Sequence, residues 1–202
     1  MPETVSGLVF VLSGPSGVGK DVLAARLLER NVGLRRVVTA VTRPPRPGEV
    51  EGVDYYFLTR ERFEAEVARG GLLEWAEYVG SPRGTPLFSL ARTLRGGDDA
   101  ILKIDVDGFR KVKQRLPEVI SIFVLPPDFA VLERRLLSRG DVADEEARRR
   151  LEQGRVEMAA LEEYDYRVVN QEGQLERAVD DVAAIVAAER LRTRPRRVVI
   201  EG

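Results

Sequence analysis

The chain of 202 residues contains no cysteine and no histidine. Without cysteine it forms no disulfide and no thiolate metal site, which fits a reducing cytoplasm. Without histidine it lacks the commonest general base and the commonest metal ligand, so Ser-His and Cys-His catalysis are excluded. Any catalysis must therefore use carboxylates, lysine, arginine, hydroxyl groups or backbone amides.

The sequence also lacks a long apolar run and a strong net charge. The apolar run at residues 7–12 is too short to span a membrane or to form the core of a secretion signal. The formal net charge is −1, so the surface as a whole is not expected to attract nucleic acid or an anionic membrane. We therefore expect a cytoplasmic monomer or homodimer that binds neither, with any anion site built from a local cluster.

Short apolar runs alternate with helical patterns along much of the chain. Runs of strand length fall at residues 8–12, 100–104, 120–125 and 167–169. A helical pattern lies at residues 109–115, and apolar residues recur at helical spacing from Leu175 to Val186. Buried strands that alternate with helices are typical of an α/β fold with a parallel sheet.

Two segments interrupt this pattern. Residues 37–95 are richer in proline, glycine and aromatic residues and predict an inserted α+β module, whereas residues 128–155 are highly charged and helical. We therefore predict a core made of residues 1–36, 96–127 and 156–192. The remaining residues, 193–202, form a basic tail that we expect to be solvated.

A phosphate-binding loop is indicated at residues 14–20, which read GPSGVGK and match G-x-x-x-x-G-K. Glycines let successive backbone N–H groups point into one concavity, and Lys20 adds a cation for the β- and γ-phosphates of ATP. The strand before and the helix after are the context that this loop requires. The predicted ATP-binding residues are Gly14, Pro15, Ser16, Gly17, Val18, Gly19, Lys20 and Asp21.

Asp21 departs from the usual pattern, in which serine or threonine follows the lysine and ligates Mg²⁺. A carboxylate is also a good Mg²⁺ ligand, and it suits the N-terminus of a helix. However, it adds negative charge beside the phosphates. The sequence leaves open whether Asp21 meets the metal directly, meets it through water, or only caps the helix.

Two further features suit an acceptor that carries a phosphate and a base. Arg43 and Arg46 lie three residues apart in a proline-stiffened segment and together suit a phosphate dianion, although an exposed charged loop explains their spacing equally well. Glu74 lies in an apolar run and needs a partner. A guanine edge or a neighbouring arginine would each serve.

Together these segments resemble the guanylate kinase family from residue 7 to about residue 189. The resemblance is carried by residues 13–20 (SGPSGVGK), 42–55 (TRPPRPGEVEGVDY), 73–77 (LEWAE), 125–127 (LPP) with 132–140 (LERRLLSRG), and 163–166 (EYDY) with 168–170 (VVN). The second block is highly specific to the family, and the first alone is not.

The resemblance implies a P-loop nucleoside monophosphate kinase fold, in which a parallel-sheet core carries a GMP-binding module (37–95) and a helical lid (128–155). It implies transfer of phosphate from ATP to GMP and dGMP with Mg²⁺. By analogy, the GMP-binding residues are Thr39, Arg43, Arg46, Tyr55, Glu74, Arg83, Thr85 and Asp105. The implied catalytic residues are Lys20, Arg43, Arg135, Arg139 and Arg150, and the metal candidates are Asp21 and Asp105.

Four positions depart from the family pattern: Asp21, Arg83, Lys103 and Asp107. Arg83 replaces a tyrosine but can still bind phosphate, whereas Lys103 replaces an acidic residue. The Gly-Lys-Asp end of the loop also resembles ribose 1,5-bisphosphate phosphokinase, which would explain Asp21 but not the arginine segment or Glu74. A third interpretation is an inactive guanylate-kinase-like binding module, against which the retained Lys20 argues.

Overall fold

The computed structural model describes residues 7–30, 32–78, 80–137, 144–196 and 198–200. Its strands are β1 (Val9–Ser13), β2 (Leu34–Arg36), β3 (Thr39–Val41), β4 (Tyr55–Phe57), β5 (Leu72–Tyr78), β6 (Ser81–Pro86), β7 (Asp99–Lys103), β8 (Ile120–Leu125) and β9 (Tyr166–Val169). Its helices are α1 (Lys20–Glu29), α2 (Arg60–Ala68), α3 (Leu87–Arg95), α4 (Val106–Arg115), α5 (Phe129–Leu137), α6 (Asp144–Met158) and α7 (Leu175–Arg190), with a 3₁₀ turn at Leu161–Glu163.

A five-stranded parallel sheet forms the core, in the order β2-β7-β1-β8-β9. The central strand β1 is fully buried, and its side chains alternate between the two faces. Phe10 and Leu12 pack with α1 and α7 on one face, while Val9 and Val11 pack with α3 and α4 on the other. Because all five strands are parallel, their carboxyl ends meet at one edge, where the following loops can build a site.

A second sheet, in the order β4-β3-β6-β5, is formed by residues between 39 and 86. Strand β3 pairs in parallel with β4, and β6 runs antiparallel to both β3 and β5. Phe63 of α2 packs against Ala40 and Leu72 and covers one face of the sheet. These strands lie within the segment predicted as an inserted module, and the division into domains stays a prediction.

The fold class predicted from the sequence is confirmed. The core has a parallel sheet with helices on both faces, and a smaller mixed sheet carries its own helix. None of the helices in the described part of the chain combines the length and the apolar character needed to cross a bilayer.

The basic tail is solvated only in part: residues 193–195 are exposed, as expected, whereas Val198 and Ile200 pack on the core. The side chains of Val198 and Ile200 are 2% and 5% exposed and join the apolar cluster on the α3–α4 face of the core. Arg196 pairs with Asp165 at 2.9 Å. The expectation rested on the arginines of this segment. Its packing is instead decided by Val198 and Ile200, which are buried on either side of the exposed Val199.

Candidate active site

The phosphate loop joins β1 to α1 at the carboxyl edge of the core sheet. Two of its glycines have no room for a side chain. A Cβ atom at Gly14 would lie 2.3 Å from the Val124 carbonyl oxygen, and one at Gly19 would lie 2.5 Å from the Asn170 Nδ2 atom. Both residues also have positive φ angles, of 139° and 98°, which L side chains rarely adopt. The loop is therefore held in a conformation that only glycine fits.

Lys20 is the first residue of α1 and folds back over the loop. Its Nζ atom donates hydrogen bonds to the carbonyl oxygens of Gly14 and, at 2.9 Å, of Pro15. Burial lowers the pKa of Lys20 to about 8, and the carboxylates of Glu157 and Asp105 oppose this shift. The cation thus lies at the loop with partners that an incoming phosphate can replace.

Glu157 of α6 is a buried carboxylate, 7% exposed, that the sequence analysis did not single out. Its Oε2 atom accepts a hydrogen bond of 3.3 Å from the backbone N–H of Ser16 in the loop. Burial raises the pKa of Glu157, and nearby Lys20 opposes this shift. One glutamate in a charged helix gives no sequence signal, so only the packing of α6 against the loop reveals this contact.

Asp21 and Lys103 form an ion pair between the Asp21 Oδ1 atom and the Lys103 Nζ atom. Asp21 is the second residue of α1, and Lys103 is the last residue of β7. Two of the four departures from the family pattern are therefore in direct contact.

Arg135 of α5 lies against the end of the loop. It donates to the carbonyl oxygen of Val18 at 3.2 Å and to that of Asn170 at 3.3 Å. The Asn170 side chain also donates to the Val18 carbonyl oxygen, at 2.8 Å, so these groups fix the turn into α1. Arg150 lies half-buried on α6, and Arg139 falls outside the described residues.

Thr39, Thr85 and Glu74 form a row across the second sheet. Glu74 pairs with Thr85 in the β5–β6 register, and Thr39 and Thr85 flank the adjacent Ala40–Gly84 pair of β3 and β6. Because residues directly opposite on neighbouring strands point to the same face, the three side chains are neighbours. The sheet thus brings together the three residues that the resemblance assigns to guanine.

The carboxylate of Glu74 is 8% exposed and accepts a hydrogen bond of 2.6 Å from the Thr85 hydroxyl. Burial raises the pKa of Glu74, and the negative charge of Asp105 raises it further. A buried carboxylate that accepts from one hydroxyl retains lone pairs for further donors, such as the N1–H and N2–H groups of guanine.

Arg43 and Tyr55 gather around Glu49, which the sequence analysis did not assign a role. The Arg43 guanidinium makes two hydrogen bonds of 2.6 Å to the Glu49 carboxylate and lies 5.1 Å above the Tyr55 ring centroid. The backbone N–H of Arg46 donates to the same carboxylate at 2.8 Å. The bonds to Arg43 and Arg46 lower the pKa of Glu49 to about 2. This cluster therefore already binds an oxyanion in the form of a carboxylate.

Asp105 lies close to Glu74, because a Cβ atom at Gly108 would be 3.2 Å from the Asp105 Oδ1 atom and 3.3 Å from the Glu74 Oε2 atom. Arg83 lies two residues before Thr85 on β6. The Asp105 side chain caps α4 by accepting from the Gly108 N–H at 2.8 Å. Its charge raises the pKa of both Lys20 and Glu74, and that of Arg83 lowers the pKa of both. The proximity of Asp105 to Glu74, together with its effect on Lys20, indicates that the start of α4 lies near both the phosphate loop and the row.

The two metal candidates are engaged separately, Asp21 by Lys103 and Asp105 by the start of α4. Across the residues described, no three acidic side chains are grouped closely enough to hold a metal ion. Mg²⁺ usually keeps several waters and binds through one or two carboxylates together with substrate phosphates. The donor set therefore fits a metal that arrives with a nucleotide, and both residue assignments stay predictions.

Comparison with known proteins gives consistent results. The family model described as guanylate kinase matches residues 6–189. A guanylate kinase of Thermus thermophilus is 48% identical over 187 residues, covering 93% of this chain and 84% of the relative. One of Halalkalibacterium halodurans is 44% identical over 187 residues, covering 93% and 91%. The crystal structure of guanylate kinase from Anaplasma phagocytophilum is 35% identical, with a TM-score of 0.72, and covers 98% of this chain and 93% of that one.

Proposed function

This chain belongs to the guanylate kinase family, and we propose that its cleft aligns ATP with GMP, or with dGMP, so that the γ-phosphoryl group passes to the acceptor. The chain is thus a nucleoside monophosphate kinase, a phosphotransferase that yields ADP and GDP. We place this reaction in the cytoplasm, a reducing compartment that suits a chain without cysteine.

The observation that carries this proposal is the position of Asp105 at the start of α4, where a Cβ atom at Gly108 would be 3.2 Å from the Asp105 Oδ1 atom and 3.3 Å from the Glu74 Oε2 atom. The charge of Asp105 also raises the pKa of Lys20 in the phosphate loop and that of Glu74 in the second sheet. If ATP binds at the loop and the base of the acceptor binds at Glu74, the γ-phosphate of ATP and the phosphate of the acceptor would then lie close together. Catalysis of phosphoryl transfer consists almost entirely of positioning the two reactants and stabilising the charge of the transition state.

On the donor side, the loop amides and Lys20 bind the phosphates of ATP. The Lys20 Nζ atom exchanges its carbonyl partners for phosphate oxygens, which are stronger acceptors. Asp105 would contact the Mg²⁺ that accompanies ATP, and that ion would supply further charge neutralisation. Arg135, Arg139 and Arg150 are the proposed cations of the closed site.

On the acceptor side, the row of Thr39, Thr85 and Glu74 binds guanine, and a phosphate dianion takes over the contacts that Glu49 makes with Arg43. The cluster around Glu49 supports this assignment because a carboxylate and a phosphate use the same donors. Arg46, Tyr55 and Arg83 complete the proposed phosphate site.

The reaction needs no strong base. A phosphate oxygen of GMP forms the new bond to the γ-phosphorus atom while the bond to the β–γ bridging oxygen breaks and ADP leaves. The nucleophilic oxygen is already deprotonated near neutral pH, because the second pKa of a phosphate monoester is about 6. A site without histidine is therefore sufficient for this chemistry.

The test is ADP release with Mg-ATP and a panel of acceptors: GMP, dGMP, AMP, UMP and ribose 1,5-bisphosphate. We expect turnover with GMP and dGMP, and at least about 100-fold lower kcat/KM with AMP and UMP, because these bases leave Glu74 without its paired donors. Turnover with only the sugar bisphosphate would refute the guanine assignment. Nucleotide binding without any turnover would indicate a binding module.

A further inference from the structure

We propose that Lys103 is a positioning residue for the triphosphate that acts through Asp21. Lys103 neutralises the carboxylate that stands beside the phosphate loop, so the loop keeps the positive potential that ATP requires. This inference rests on the proposed function, because it concerns the nucleotide site of the same reaction.

The parallel sheet determines why these two residues meet. Lys103 ends β7 and lies opposite Leu12 of β1, one residue before β1 ends. The phosphate loop follows at the same edge of the sheet and leads into α1, whose second residue is Asp21. Both side chains therefore extend from the sheet edge that carries the loop, and they form the ion pair there.

The position of the pair argues for a role in ligand binding rather than in stability. The Asp21 side chain is 79% exposed and that of Lys103 is 38% exposed. Exposed ion pairs contribute little to folding. Lys103 is also close enough to Lys20 to lower its pKa, so the pair lies within electrostatic range of the phosphate-binding cation.

The charges at the loop explain what the pair does. Asp21 adjoins Lys20 along the chain, and an unpaired carboxylate there would cancel much of the attraction between Lys20 and a polyanionic nucleotide. With Lys103 bound to it, the carboxylate contributes little net charge. Lys103 thus takes part in nucleotide binding without contacting the nucleotide.

Neutralisation of Asp21 by Lys103 can be distinguished from binding of Mg²⁺ by Asp21, because the two roles affect ATP binding differently with and without the metal. If Asp21 bound Mg²⁺, replacing it would weaken the binding of Mg-ATP and leave that of metal-free ATP unchanged. If Lys103 neutralises Asp21, replacing Lys103 weakens both. The loss is then larger for metal-free ATP, because that ligand carries more negative charge.

The experiment is a double-mutant cycle of wild type, Lys103→Ala, Asp21→Ser and the double variant. The dissociation constants of ATP and ADP are measured by calorimetry with Mg²⁺ and with EDTA, and KM and kcat are measured where turnover occurs. We expect Lys103→Ala to weaken Mg-ATP binding roughly tenfold while the KM for GMP changes less than about twofold. Adding Asp21→Ser should restore binding to within about twofold of wild type.

The control is Arg30→Ala with Asp180→Ser at the end of α1, away from the loop, where Arg30 pairs with both Asp180 and Glu176. We expect these variants to bind ATP as the wild type does. Independent effects of the two substitutions at Lys103 and Asp21 would overturn the proposal, as would a loss confined to Mg-ATP in Asp21→Ser. The binding cycle gives its answer even if GMP proves not to be the acceptor, so the two proposals fail separately.

Discussion

Glu74 is the residue on which the choice of base depends. Its carboxylate is 8% exposed and accepts from the Thr85 hydroxyl at 2.6 Å. Glu74→Gln replaces one acceptor oxygen with an NH₂ donor, which opposes the donors of guanine. We expect kcat/KM for GMP to fall by about 100-fold or more while the dissociation constant of ATP changes less than about twofold. Steady-state kinetics and calorimetry measure the two effects.

The matched control is Glu77→Gln, on the same strand but with a side chain that is 60% exposed. It should leave both constants unchanged.

Stability provides a second readout of the Glu74 carboxylate. Burial raises the pKa of Glu74, so the folded state holds this proton more tightly than the unfolded state, and folding is penalised as the pH rises through the folded pKa. We therefore expect Glu74→Gln to melt higher than wild type at pH 8 and to lose this advantage towards pH 4. A lower melting temperature at pH 8 would contradict the burial argument.

Lys20 should couple nucleotide binding to proton uptake. Its pKa is lowered to about 8 by burial, so about half of the ligand-free molecules are unprotonated at pH 8. The phosphate groups of a bound nucleotide, ADP included, favour the charged form and raise the pKa of Lys20. We therefore expect ADP binding at pH 8 to take up about half a proton. Calorimetry in buffers of different ionisation enthalpy measures this number.

Lys20→Arg is the appropriate comparison, because arginine stays charged at every accessible pH and still binds phosphate. Its ADP complex should form without this proton uptake at pH 8. Equal uptake in the variant and the wild type would assign the proton to another group.

At the level of single residues, the sequence indicated which side chains are chemically important, but it seldom indicated which residues they contact. Glu74 was singled out because a carboxylate in an apolar run needs a partner. Glu49 and Glu157 were missed because each is one glutamate among many acidic residues, and their roles arise from pairing with Arg43 and with the loop. Asp21 and Lys103 stood out separately, but a contact across 82 positions is set by the sheet.

The C-terminal segment, residues 198–200, contributes to the stability of the fold, and this contribution can be measured directly. Ile200 is 5% exposed within the apolar cluster of the core, whereas its neighbour Val199 is 57% exposed. We expect Ile200→Ala to lower the free energy of unfolding by about 2 kcal/mol or more, because it leaves a cavity. Val199→Ala should change it by less than about 0.5 kcal/mol. Urea denaturation monitors both, and equal effects would show that the segment does not pack on the core.

The strands that the sequence predicts well are those made of continuous apolar residues. Strands β1 and β8 are continuous buried runs, and the sequence predicted both within one residue of their observed ends. Strand β6 reads SPRGTP, with two prolines and a glycine in a central position of the second sheet. Its local preferences oppose a strand. Pairing with β3 and β5 decides its conformation, and no local pattern reports such pairing.

For the molecule as a whole, we propose that the two sheets supply the two halves of one site. The core sheet carries the phosphate loop at its carboxyl edge, and the second sheet carries the row of Thr39, Thr85 and Glu74. Asp105, at the start of α4 in the core, is electrostatically coupled to both. The α/β class could be predicted from alternating strands and helices. The arrangement of the two halves could not, because it depends on contacts between distant segments.

Binding of a single ligand that contains both nucleotides tests whether the loop and the Glu74 row form one cleft. The ligand is adenosine joined to guanosine through a 5′–5′ chain of five phosphates. We expect it to bind with one-to-one stoichiometry, to exclude both ATP and GMP, and to bind at least about 100-fold more tightly than GMP alone. If it displaced ATP while GMP still bound to the same molecule, the two halves would not share a cleft, and the account would be wrong.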